Sequence, residues 1–184
     1  PAPLNDALAV VDALDGPVDI VGDSAGGHLG LQVAFARPDR VRALALISPN
    51  TDRTGRNTRR KANTATDLMN DDGQDAALAR MAMPGIAPDD PVASPLAGPL
   101  DMLPPLYVTY SENEVLADDA RLLAGAARAA GVPVTVRPRE GLFHMWTLWP
   151  EEIPEAHDTL AEIAGFLSAR WSRAEPEPKP AAIG

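Results

Sequence analysis

With 184 residues, 45% of them apolar, the chain has the size of one domain and enough apolar content to bury a core. Its 16 basic against 26 acidic residues leave a net charge of −10, which argues against nucleic-acid binding, a function that draws on clustered lysine and arginine. There is no cysteine, which excludes disulfide frameworks and thiol chemistry, and no apolar run approaches the ~20 residues that span a membrane.

The first element in chain order is a helix over residues 4–14, followed by a strand over 18–21 and a helix over 25–36. A strand over 42–47 contains the run Ala43-Leu44-Ala45-Leu46-Ile47, the pattern of a strand covered on both faces, and Ser48-Pro49 ends it. Residues 50–90 are polar, with a modest helix around 75–83. Their basic cluster (Arg53, Arg56, Arg59, Arg60, Lys61) reads as a solvated loop. A proline-rich connection over 84–105 returns to a strand over 106–110 and a helix over 117–130 that Gly131 stops. A strand over 132–136 and a helix over 153–171 follow, the latter with Leu160, Ile163 and Leu167 at helical spacing. Residues 174–184, with Glu-Pro-Glu-Pro-Lys-Pro inside, read as a disordered tail. Strands alternating with helices imply an α/β fold with a parallel sheet, in one domain over residues 1–173.

The most informative stretch is Gly22-Asp23-Ser24-Ala25-Gly26-Gly27, a Gly-x-Ser-x-Gly placed where a strand gives way to a helix. A serine hydroxyl becomes a nucleophile when a sharp turn exposes it, small neighbours permit that turn and a histidine takes its proton. Gly22 and Gly26 meet the steric demand, and the backbone N–H of Ala25, at the start of the helix, would face a developing oxyanion. Downstream, Glu112, Glu114, Asp118 and Asp119 follow the strand over 106–110, and His144 sits in a loop between Phe143 and Met145-Trp146. The order serine, acid, histidine is that of α/β-hydrolases. Phe143, Met145 and Trp146 are expected to line an apolar substrate pocket. Asp118 and Asp119, at the start of a helix, read as partners of its dipole, and Asp23 and His28 as structural.

Together with Ser48-Pro49, Ala93-Ser94-Pro95-Leu96, Leu103-Pro104-Pro105-Leu106, Glu114-Val115-Leu116-Ala117-Asp118-Asp119 and Gly141-Leu142-Phe143-His144, the serine motif resembles the hormone-sensitive-lipase-like carboxylesterases of the α/β-hydrolase fold. The resemblance implies a partial parallel sheet with flanking helices, and a cap-like insertion over about 50–90. It also implies a triad of Ser24, Glu114 and His144, with Glu114 at the acid position of an acidic-x-Leu-x-Asp segment. The implied reaction is hydrolysis of small or medium acyl esters through an acyl-enzyme, without metal or cofactor. A lactone hydrolase and a non-catalytic fragment of the same fold remain open alternatives.

That family carries a His-Gly-Gly-Gly oxyanion loop upstream of the serine, and the residues before Ser24 contain none. The resemblance is therefore to the C-terminal portion of such an esterase, which predicts that residues 18–21 form a sheet edge prone to self-association. A cytoplasmic location is the expectation from the absence of a visible signal peptide, although an upstream segment could have carried one.

Overall fold

The computed structural model describes residues 2–174. Four parallel strands, β1 (Val18–Asp23), β2 (Val41–Ile47), β3 (Leu106–Ser111) and β4 (Val134–Arg139), lie side by side in that order. Helix α1 (Ala2–Ala13) precedes β1, α2 (Ser24–Ala36), α3 (Arg60–Asn63), α4 (Asp72–Ala82) and α5 (Ala117–Ala129) fill the connections, and α6 (Pro154–Ala174) follows β4.

The period-2 geometry of β2 splits its apolar run between two layers. Leu44 and Leu46 face a core built with Leu31 and Val33 of α2, Val108 of β3 and Leu123 of α5. Ala45 and Ile47 face the opposite side, where Tyr107 and Ile163, Phe166 and Leu167 of α6 pack. Helices thus cover both faces, as a near-continuous apolar strand requires. The end of α6 is tied down by one cluster. The Arg42 guanidinium lies 3.5 Å from the centre of the Trp171 ring and pairs with Asp19, which also accepts the Trp171 indole N–H at 2.9 Å.

The edge expected at residues 18–21 is present, because β1 pairs with β2 and no other strand among the described residues. Several boundaries differ from the sequence reading. Strand β4 runs later than 132–136, because Val132 turns into the core while pairing with β3 begins at Val134. Pro138 is tolerated within it because β4 is an edge strand. Helix α4 starts three residues before 75, where the Asp71 side chain accepts the Gln74 N–H at 2.7 Å as an N-cap. The short helix α3 was not visible in the sequence. Of the tail predicted over 174–184, Ala174 ends α6 and the remainder lies outside the described residues.

The basic cluster is not a solvated loop throughout. The Arg60 guanidinium reaches Asp119 of α5 at 3.0 Å and also pairs with Asp75 of α4, which accepts from Arg53 as well. Asp119 is fully buried and also accepts the backbone N–H groups of Thr51 and Asp52 and the Asn57 amide. It does far more than complement a helix dipole: it folds the segment after β2 onto α5, and Arg60 extends that hold to α4. Burial disfavours charge on Asp75, but Arg53 and Arg60 more than offset it and hold the carboxyl below its ordinary range. Removing one partner of such a buried network typically costs ~3–5 kcal/mol, because the remaining groups stay buried and unpaired. Asp119→Ala is expected to lower the free energy of unfolding by about that amount, read as a fall in the urea midpoint. A midpoint within error of the parent would contradict this account.

Candidate active site

Ser24 opens α2 at φ 48, a left-handed conformation that costs a non-glycine residue of order 1 kcal/mol and is held here by its surroundings. The turn is possible because its neighbours lack side chains. A Cβ on Gly22 would stand 2.5 Å from the carbonyl oxygen of Gly26, and one on Gly27 would stand 2.9 Å from Pro49 Cβ. No side chain caps the N-terminus of α2, which leaves its first N–H groups, that of Ala25 among them, available to a ligand. Gly22→Ala is expected to push the elbow apart. A displacement near 1 Å can cost ~10²-fold in rate, so its rate of modification by a serine-directed phosphonylating probe should fall at least that far.

The other two predicted residues also follow carboxyl ends of strands, where ligands bind in open α/β sheets. Glu114 comes three residues after β3, and His144 five residues after β4. The fold brings all three together. His144 Nε2 lies 2.9 Å from Ser24 Oγ, and His144 Nδ1 lies 3.9 Å from Glu114 Oε2. The second contact is longer than a hydrogen bond, and Nδ1 of His144 and Oε1 of Glu114 are both buried without a partner. Catalytic hydrogen bonds are often long in unliganded sites and tighten with substrate. Met145, directly after His144, adopts φ 56, a second strained position at the same place.

Glu114 is the only candidate acid that faces the histidine. Glu112 pairs with Arg59 and Arg121, Asp118 with the same two arginines, and Asp119 with Arg60. The Glu114 carboxylate has no arginine. It accepts the Ser48 hydroxyl at 2.6 Å and the Ser111 N–H at 3.3 Å. Complete burial pushes its pKa up, against the pull of the His144 ring, Ser48 and Ser111. Ser48 ends β2 at φ 48, which makes it another non-glycine residue bent at this site.

A cleft of about 520 Å³ opens over Ser24 and His144. Its walls are Leu29 of α2, Leu78 and Ala82 of α4, and Met69, Met83 and Met145. Of the three residues expected to line it, only Met145 does. Trp146 is fully buried, and Phe143 packs edge-on against Trp149 with ring centres 5.5 Å apart. His28, which the sequence placed outside the triad, sits in the cleft wall, where its Nε2–H donates to the Val92 carbonyl at 2.9 Å and burial lowers its pKa. Sequence reasoning missed Ser48, which, just before a proline at a strand end, was visible as a position but not as a partner of Glu114.

A family model described as alpha/beta hydrolase fold matches residues 1–148. The chain belongs to the α/β-hydrolase family. An acetyl-hydrolase of Streptomyces hygroscopicus is 34% identical over 177 residues, covering 91% of this chain and 59% of that one. An esterase of Acinetobacter venetianus is 31% identical over 160 residues, covering 83% and 53%. Among solved structures, an esterase/lipase from an uncultured bacterium superposes with a TM-score of 0.85 at 30% identity, covering 94% of this chain and 61% of that one. An esterase from the bacterial hormone-sensitive lipase family gives 0.84 at 30% identity, covering 92% and 61%. This α/β-hydrolase is of the hormone-sensitive-lipase-like type, and it spans little more than half the length of these two curated relatives. None of its helices among the described residues is long and apolar enough to cross a membrane.

Proposed function

We propose that the chain carries the catalytic machinery of a serine carboxylic-ester hydrolase, with Ser24 as nucleophile, His144 as general base and Glu114 as the acid behind it. The observation that carries this reading is the 2.9 Å contact between Ser24 Oγ and His144 Nε2 at a strained strand-to-helix turn. Ser24 Oγ attacks the acyl carbonyl while His144 Nε2 takes its proton. The tetrahedral oxyanion forms at the start of α2, where the Ala25 N–H donates to it. His144 then returns the proton to the leaving alkoxide, giving an acyl-Ser24 that water hydrolyses by the same steps. Glu114 holds the imidazole proton on Nδ1 and balances the imidazolium charge.

The cleft, about 520 Å³ with Leu78, Ala82, Met83 and Met69 among its walls, offers apolar contact to acyl groups of small or medium size. The names of the two curated relatives, acetyl-hydrolase and esterase, support ester chemistry of this kind.

The test is incubation with a fluorophosphonate, read by intact mass beside a Ser24→Ala control, followed by turnover of p-nitrophenyl esters of two to twelve acyl carbons and of a lactone panel. One adduct on the parent, none on the control, and preference for short esters are expected. No adduct would favour a non-catalytic member of the fold, and turnover confined to lactones would replace the ester assignment.

A further inference from the structure

Asp67, in the cap-like segment between α3 and α4, is buried and forms no hydrogen bond with the proposed triad's side chains, yet its carboxylate joins the two loops that carry them. One oxygen, Oδ2, accepts the backbone N–H of Val115, the residue after Glu114, at 2.9 Å. The other, Oδ1, accepts the backbone N–H of His144 itself at 3.0 Å and that of Met69 at 3.1 Å. We propose that Asp67 is a positioning residue that sets the separation of acid and base by holding the Glu114 loop and the His144 loop on opposite oxygens of one rigid carboxylate.

The surroundings support a device rather than an incidental contact. The segment from α3 to Asp67 lies across the acid loop through several bonds: Asn63 donates to the carbonyls of Glu112 and Glu114 at 3.1 and 2.8 Å, and Thr66 donates to that of Asn113 at 2.9 Å. The acid and base loops also touch directly, through Ser111 Oγ to the Leu142 carbonyl and the Gly141 N–H to Asn113 Oδ1. Those ties fasten residues two and three positions before His144. Asp67 is the tie that acts on the histidine's own backbone, beside the strained Met145. A carboxylate suits the task because it offers two acceptors in a fixed plane and no donor. An amide at the same place would turn an NH₂ group against one of the backbone donors and release that loop.

The proposal rests on the hydrolase reading above, and its test separates the two. Amide hydrogen exchange, which needs no activity, is measured on the parent chain and on Asp67→Asn. The amide of Val115 or that of His144, whichever faces the NH₂ group, should lose protection by ~10-fold or more while those of β3 keep theirs. In turnover, Asp67→Asn should lower kcat about 10- to 100-fold with KM changed less than about three-fold. In a Glu114→Gln background the same substitution should cost less than about two-fold, because a residue that acts through the acid–base separation has little left to position once the acid is gone. Unchanged protection of both amides overturns the proposal. So does loss of protection throughout β3, which marks a general structural role, and so does an equal cost in both backgrounds. A parent chain that forms no adduct at Ser24 overturns the hydrolase reading itself, and the positioning role with it, whatever the exchange pattern.

Discussion

Ser24→Ala is expected to abolish fluorophosphonate labelling and to lower ester turnover by about 10⁶-fold, the loss typical when the nucleophile of a serine–histidine pair is removed. The size follows from what the hydroxyl does: no other group in the cleft can form the acyl intermediate, so the remaining rate is that of water attacking a bound ester. The fold should survive, since Ser24 Oγ has a single partner, His144 Nε2, and alanine leaves no buried donor behind. Ser24→Gly makes a sharper point. Both variants are inert, but glycine adopts φ 48 without the Cβ penalty, so Ser24→Gly should unfold at higher urea than Ser24→Ala by about 1 kcal/mol. If Ser24→Ala retains turnover, the nucleophile lies elsewhere; if the glycine variant gains no stability, the elbow is not strained.

The sheet and the elbow were legible in the sequence where one physical signal dominated. The runs inside β2 and β3 admit no solvent-facing side, so a sheet covered on both faces was readable from Ala43–Ile47 and Leu106–Tyr110 alone. The elbow was readable because only glycine tolerates the contact that Gly22 makes with Gly26. The cleft was not. Its walls come from α2, from α4 and from Met145, segments far apart in the chain, whereas the aromatic residues beside His144 turn inward, Trp146 into the core and Phe143 onto Trp149. Local sequence shows that a side chain is apolar, not which cavity it meets.

The arginines after β2 misled for a similar reason. Charged residues in a polar stretch are usually solvated, and Arg56 and Lys61 are exposed. Arg53 and Arg60 are not, because their carboxylate partners lie on α4 and α5, up to 59 residues away. Asp67 carried no signal either, since its partners are backbone N–H groups, which look the same in every sequence.

Glu114→Gln is expected to separate activity from stability. Amides are poor substitutes in the acid position: a Gln NH₂ directed at His144 Nδ1 favours the tautomer with its proton on Nε2, which cannot accept the proton of Ser24, and changes of this kind typically cost ~10⁴-fold in kcat. Stability should move the other way. Glu114 is wholly buried, one of its oxygens has no partner, and burial raises its pKa above the ordinary glutamate value. A raised acid pKa means that the folded state holds the proton more tightly than the unfolded state. Below the unfolded value of about 4.3 both states are neutral and nothing is lost; as pH climbs from there through the folded value, stability falls, and above that value the deficit is constant. Glutamine is free of this deficit at every pH. Urea midpoints of parent and Glu114→Gln should therefore nearly coincide at pH 4 and diverge toward pH 7 in favour of the variant, by on the order of 1 kcal/mol. A difference that does not change with pH would mean that folding does not raise the Glu114 pKa, and a variant that keeps its turnover would remove Glu114 from the triad.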